Sequence, residues 1–307
     1  VVLSLWLGVA LYGAYRIGRL FLATVPVAWL GAVVWLSLPI VWAHAAYSML
    51  SLGLALLAFY FWAALQLFVS DDGLTNQVTR KSALYLLACV VAVFMDGYTF
   101  VMFALGSSLL WVYALICRPR MRHQLLRIAL FVHVLGFGGA YVLYGLYIGQ
   151  SSFSPATLDF FRGWSLDIMY LLVPTEGLMW LPDALGLSHE RTNTEHFGDS
   201  SVWKTTFGLP LVMLAAVAAW RSRHAQNARY LARALVVMGL LAFYLSLGPA
   251  LKFNTTKPQA LQQQLPGQLS AGMSQEHGVM SMGSAWIYSH LPAFNVMRAN
   301  YRWSALG

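Results

Sequence analysis

Charge is what this sequence lacks. Of 307 residues only 10% are Asp, Glu, Lys or Arg, against about 25% in a soluble globular chain. With 59% of residues hydrophobic, an ordinary soluble domain is excluded and an integral membrane protein is expected. Acids are the scarcer sign, 11 against 19 Lys+Arg, giving a net charge of +8. That excess does not mark a nucleic-acid partner, because the basic residues sit in short clusters between apolar runs, as membrane topology requires. Cysteine is nearly missing too: Cys89 and Cys117 both fall in apolar segments, so no disulfide framework is expected. HExxH, GxSxG, a P-loop, CxxC and a Gly-rich dinucleotide fingerprint are all absent, and the chemistry each carries loses its sequence support. No cofactor is evident, a divalent metal has no support, and no internal repeat shows. The sequence opens at Val1 inside an apolar run and closes at Gly307 as another begins, so it reads as a fragment.

What is present is a succession of apolar runs, each close to the roughly 20 residues that cross a bilayer. They cover 1–15, 20–42, 47–69, 82–95, 99–117, 125–148, 206–220 and 230–248, with a last run starting near Tyr301. The stretch 82–117 is read as a hairpin, because one helix of that length would reach about 54 Å across a core of about 30 Å. Asp96-Gly97 supplies the turn. The expected fold is an all-α polytopic transmembrane bundle of about eight spans plus the start of a ninth, a single domain over 1–307 with extracytoplasmic loops 149–205 and 249–300.

Charge asymmetry supports that layout. Loops 16–19, 70–81, 118–127 and 221–233 hold twelve Lys+Arg and two acids, Asp71 and Asp72; the opposite side holds seven and nine. The basic side is read as cytoplasmic, which leaves His44, Asp96, both long loops, Arg298 and Arg302 outside. Within 149–205, Phe160, Phe161, Trp164, Ile168, Leu171 and Leu172 recur at helical spacing and suit a helix lying in the membrane interface, although Leu166 and Met169 break the pattern. A second amphipathic piece runs from Leu178 to Leu187, and 188–205 reads as a polar, mobile loop.

The residues that could carry chemistry each have a plainer reading beside the functional one. Asp96 suits a helix cap, or a carboxylate at the floor of an outward cavity. His133, in mid-span, suits an interhelical hydrogen bond, or a proton relay. His44 suits an interfacial polar tip, or a substrate contact. His189, Glu190, Glu195, His196 and Asp199 fit no metal motif and read as a solvated loop. Arg298 and Arg302, four apart after Pro292, are expected on one helix face, as an anchor or as an anion site whose guanidinium forks suit phosphate oxygens.

The run LSLGP, a polar loop and then HLPAFNVMRANYRW resembles a segment of polytopic bacterial membrane proteins related to the glycosyltransferase C superfamily. RIGRLFLATVPVAWLGAVVWLSLPIVWAH, DGYTFVMF and LLVPTEGLMWLPDALGL are similar to further stretches of theirs, in the same order over nearly the whole chain. Those proteins usually have proline between the two arginines, where this chain has Asn300. The resemblance implies an inner-membrane enzyme acting at its periplasmic face. It would take a sugar from a polyprenyl-phosphate donor to a glycan or protein acceptor, inverting the sugar, with a carboxylate as base for the acceptor hydroxyl. That carboxylate is expected upstream of Val1, which leaves Asp96 as the candidate catalytic or acceptor-site residue here. Arg298, Arg302, His44 and Glu176 are the candidate substrate contacts, membrane lipids the surroundings. A lipid-linked glycan transporter or flippase is the alternative, but no inverted repeat is visible.

Overall fold

The computed structural model describes residues 2–21, 23–45, 48–69, 77–149, 154–221, 226–263, 272–291 and 293–306. Asp71, Asp72, Arg223 and Pro292 lie outside them. The described chain is mostly helical, with one two-stranded antiparallel sheet, and forms two compact units. Unit 1 comprises 1–152 and 221–238; unit 2 comprises 153–220 and 239–307.

Unit 1 is built from α1 (Val2–Leu20), α2 (Val25–Ser37), α3 (Pro39–Trp42), α4 (Leu50–Phe68), α5 (Val78–Met95), α6 (Gly97–Cys117) and α7 (Leu130–Ile148). Helix α4, LSLGLALLAFYFWAALQLF, is apolar on every side and is the central element, with α1, α3, α5 and α6 packed around it. A helix without a polar face has no stripe to give to water, so it goes to the middle. The expected span 20–42 is not continuous. Helix α2 stops at Ser37, Leu38 takes an extended conformation, and Pro39 opens α3. Proline disfavours the helical conformation of the residue before it, and the 13 residues of α2 reach only about 20 Å.

The hairpin at Asp96 is present. Helix α5 ends at Met95 and α6 starts at Gly97, with the Asp96 carboxylate accepting from the Thr99 N–H at 2.9 Å and the Thr99 hydroxyl donating back to the Asp96 carbonyl at 3.1 Å. Gly53 of α4 lies against this cap: a Cβ there would stand 2.6 Å from Thr99 Oγ1 and 3.1 Å from Asp96 Cβ, so only glycine lets α4 approach. His133 of α7 makes the interhelical bonds expected of it. Ser108 Oγ gives its proton to the Ala104 carbonyl at 2.7 Å, so it accepts from His133 Nε2–H at 3.0 Å, and Tyr85 O–H donates to Nδ1 at 2.7 Å. One imidazole thereby ties α5, α6 and α7.

Unit 2 holds α8 (Leu158–Gly163), α9 (Ile168–Leu172), α10 (Trp180–Ala184), α11 (Ser200–Thr205), α12 (Leu209–Arg221, to Trp220), the end of α13 (Gln226–Ser246), β1 (Ala250–Leu251), β2 (Met280–Ser281) and α14 (Ala285–His290). The single interfacial helix expected over Phe160–Leu172 is not formed. The chain leaves the helix after Gly163, buries Ser165, Leu166 and Asp167, and starts again at Ile168. Leu166 and Met169, which spoil the helical spacing, sit at and just after this break. Nor does 188–205 stand free in solvent: Arg191, His196 and Phe197 are buried, and Asp199 caps α11.

Six helical segments among the described residues are long and apolar enough to cross a membrane: Leu50–Phe68, Val78–Met95, Gly97–Cys117, Pro119–Ile148, Ser200–Val217 and Arg229–Ser246. The chain is thus consistent with a multi-pass membrane protein. At the expected start of the last span, the described residues Asn300–Ala305 form a short 3₁₀ run.

Candidate functional site

The sequence candidates divide between the units. Asp96 and His44 belong to unit 1: Asp96 stands against Gly53 of α4, and His44 is fully buried in the turn that follows α3. Burial excludes the interfacial-tip reading of His44. Asp96 is half-buried and its carboxylate is engaged as the cap of α6, the plainer of its two readings. Glu176, Arg298 and Arg302 belong to unit 2.

Unit 2 is organised by two pairs of chain segments sewn together through buried polar groups. Gly248 closes α13 in a left-handed conformation (φ 66°), and a Cβ there would come within 2.5 Å of Ser165 Cβ and 2.8 Å of Asn300 Nδ2. The LSLGP glycine therefore lets three segments meet. Beyond it, the Asp167 carboxylate accepts from three backbone N–H groups, Met169 at 2.9 Å, Asn254 at 2.8 Å and Thr255 at 2.9 Å. The Lys252 ammonium donates to the carbonyls of Ser165 at 2.7 Å and Gly163 at 3.3 Å. Asn300 Nδ2 donates to the Phe161 carbonyl at 3.2 Å, a tie that proline at this position could not make.

Burial pushes the Lys252 amine down to about 8, and neighbouring Asp167 only partly offsets it. Between that value and the roughly 10.4 of an unfolded lysine, the unfolded chain holds the extra proton, so stability rises with pH across this window. The gain is on the order of 3 kcal/mol at most. Thermal unfolding followed between pH 7.5 and 10 should therefore shift upward, and Lys252→Met should flatten the profile; an unchanged slope in that variant would assign the effect to another group.

The second seam joins the 170s, 190s and 200s to the C-terminal segment. Tyr170, Val202, Trp203, Ala299 and Tyr301 form one buried cluster. Arg191, only 7% exposed, lays its guanidinium 4.7 Å from the Tyr170 ring centre and donates to Thr175 Oγ1 at 2.8 Å; Thr175 in turn donates to the Trp203 carbonyl at 2.9 Å. His196 packs against Tyr170 and Trp203, and burial holds its imidazole below the usual histidine range. Glu176 is exposed next to Thr175, its N–H bonded to the His189 carbonyl at 3.0 Å.

Arg298 and Arg302 do not share a helix face. Residues 297–299 are not helical, and Arg302 lies in the 3₁₀ run from Asn300. Met297, Ala299, Asn300, Tyr301 and Trp303 are all buried, and the backbone passes from a non-helical stretch into the 3₁₀ run between the two arginines. Arg298 is exposed, whereas the half-buried Arg302 stands 5.8 Å from the Tyr301 ring centre. Tyr301 is fixed by its hydroxyl, which donates to Ser201 Oγ at 2.8 Å while Ser201 donates to Asp199, and by its N–H to the Trp164 carbonyl at 3.1 Å. Burial pushes the Tyr301 phenol up, so it stays a neutral donor.

Arg191, Asp167, Lys252 and Tyr301 were not anticipated from sequence. Among the described residues no three His, Cys, Asp or Glu side chains are grouped to hold a metal: His196 faces aromatic rings and Asp199 is a cap. What the arrangement offers chemically is cationic: the buried Arg191 guanidinium over the Tyr170 ring and the half-buried Arg302 guanidinium near the Tyr301 ring. Comparison with known protein families, with curated proteins and with solved structures gives no match to this chain.

Proposed function

We propose that this chain belongs to an integral-membrane glycosyltransferase that takes a sugar from a polyprenyl-phosphate donor at the periplasmic face of the bacterial inner membrane. The observation that carries this reading is Arg302, a guanidinium set beside a phenol that is itself hydrogen-bonded in place. A planar fork beside a fixed ring loses little freedom on meeting a phosphate, and two of its N–H groups can be shared between two oxygens. The six described apolar helices long enough to cross a bilayer suit a donor whose isoprenoid tail dissolves there. In the reaction an acceptor hydroxyl attacks the anomeric carbon, the bond from that carbon to the phosphate oxygen breaks, and polyprenyl phosphate leaves. The hydroxyl proton passes to a carboxylate base. Arg302 would hold the phosphate on which negative charge gathers, with exposed Arg298 drawing the headgroup in. The acceptor is a glycan or protein.

The test is transfer by the full-length protein in proteoliposomes supplied with labelled polyprenyl-phosphate sugar. Label should pass to an acceptor and polyprenyl phosphate accumulate. Labelled donor crossing the bilayer with its sugar intact would establish the flippase reading instead.

The proposed orientation has its own check. Cysteine introduced at exposed Thr194 should react with an impermeant maleimide added to spheroplasts, and cysteine at exposed Arg120 should react only after permeabilisation. The reverse pattern would turn the whole topology over.

A further inference from the structure

The loop between Glu176 and His189 belongs to no part of the proposed transferase machinery, and its exposed surface is unusual for a segment of unit 2. It reads GLMWLPDALGLS, with no basic residue and one acid. Trp180 is 80% exposed and Leu185 62%, and Leu178, Leu181 and Leu187 are exposed as well. The one acid does not offset this: Asp183 turns inward and accepts from the Gly177 N–H at 3.1 Å. Water is a poor neighbour for five such side chains grouped in ten residues.

The loop is nevertheless well formed. Its neck is closed by a backbone bridge between Thr175 and His189, with the Glu176 N–H on the His189 carbonyl and the His189 N–H on the Pro174 carbonyl, both at 3.0 Å. Inside it, α10 and the bonds from Gly186 to Asp183 and from Leu187 to Pro182 hold the shape that pushes the apolar side chains out. The surface is therefore built into the fold of the loop.

The neighbourhood indicates what covers it. Thr175 at the neck donates to the Trp203 carbonyl, and the Gly208 N–H bonds to the Leu171 carbonyl at 3.3 Å. The loop is thereby fixed to the chain just before α12, whose Leu211, Val212, Met213, Leu214 and Val217 are exposed in a candidate membrane span. The start of a membrane span is where the acyl region meets water, and the neck of the apolar loop is tied to the chain there. Tryptophan beside leucines, without cations, suits that boundary.

We infer that residues 178–187 insert into the outer boundary of the lipid bilayer as a second, non-spanning membrane anchor of unit 2. This holds whether or not the protein transfers sugars.

Nitroxide labels at Leu181→Cys and Leu185→Cys, each in full-length protein with Cys117 replaced by serine and reconstituted in phosphatidylcholine vesicles, read the surroundings directly. Power saturation should show both labels accessible to oxygen and shielded from a nickel chelate, with Thr194→Cys as the water-exposed reference. Nickel access equal to that at Thr194 would place the loop in water and overturn the inference. Shielding from both reagents would overturn it too, by showing a protein surface over the loop.

Discussion

Asp167→Ala should destabilise unit 2 by about 3–5 kcal/mol, since hydrogen bonds to a charged group contribute roughly 1.5–3 kcal/mol each and three are lost together. The substitution removes the acceptor of three backbone N–H groups, two of them 87 and 88 residues away in the chain, and leaves the fully buried Lys252 ammonium without its neighbouring carboxylate. Domains are stable by only about 5–15 kcal/mol, so a loss of this size is a large share of the total. Asp167→Asn should recover little. One of its two oxygens becomes an NH₂ donor facing a backbone N–H donor, and the charge opposite Lys252 is gone. Pairing Asp167→Ala with Lys252→Met should restore part of the loss, because the buried cation no longer lacks a counter-charge. Thermal unfolding in detergent, followed by protection of unit 2 from trypsin, reads all four proteins. Wild-type unfolding in Asp167→Ala would show that the carboxylate does not hold the two segments together.

The elements that could be read in advance are those where one residue type forces a local outcome. Asp96-Gly97 pairs a capping side chain with a residue free to turn, and the hairpin lies there. A histidine in mid-span has few ways to be satisfied, and His133 is satisfied by its neighbours on α5 and α6. Pro39 carries its own break, yet an apolar run continuing on both sides of it hides the break from a count of hydrophobic residues. In unit 2 the signal was present but read at the wrong period. Leu166 and Met169 spoil the helical spacing because the helix stops between α8 and α9. MRANYRW is non-helical over 297–299 and turns into a 3₁₀ run at Asn300, where one helix was assumed, which is why Arg298 and Arg302 separate. Lys252, a lone cation just after LSLGPAL, could have been marked as a buried charge. Arg191 could not: its partners are Tyr170 and Thr175, and nothing in the polar sequence around it reports them.

The geometry also ranks the two arginines, which sequence treats as equals. Exposed Arg298 must lose the freedom of a long side chain to make any contact, and contacts of that kind contribute roughly 0.2–1 kcal/mol. Arg302 is half-buried beside a ring already fixed by Ser201, so less freedom is left to lose. Charge-assisted contacts to a phosphate contribute about 1.5–3 kcal/mol, a factor of about 10 to 150 in affinity. Lysine at 302 keeps the charge, loses the planar fork and its stacking, and should restore only part of the binding. Tyr301→Phe, which releases the ring from Ser201, should weaken binding less than removal of Arg302 itself.

Binding of a polyprenyl-phosphate sugar to purified full-length protein, compared among wild type, Arg302→Ala, Arg302→Lys and Arg298→Ala, tests the central proposal most directly. The expected order of affinity is wild type, then Arg298→Ala within about fivefold, then Arg302→Lys, then Arg302→Ala weaker by about 10- to 150-fold. Arg302→Ala that folds normally and binds the donor as wild type does would contradict the proposal, and would leave Arg302 a structural neighbour of Tyr301.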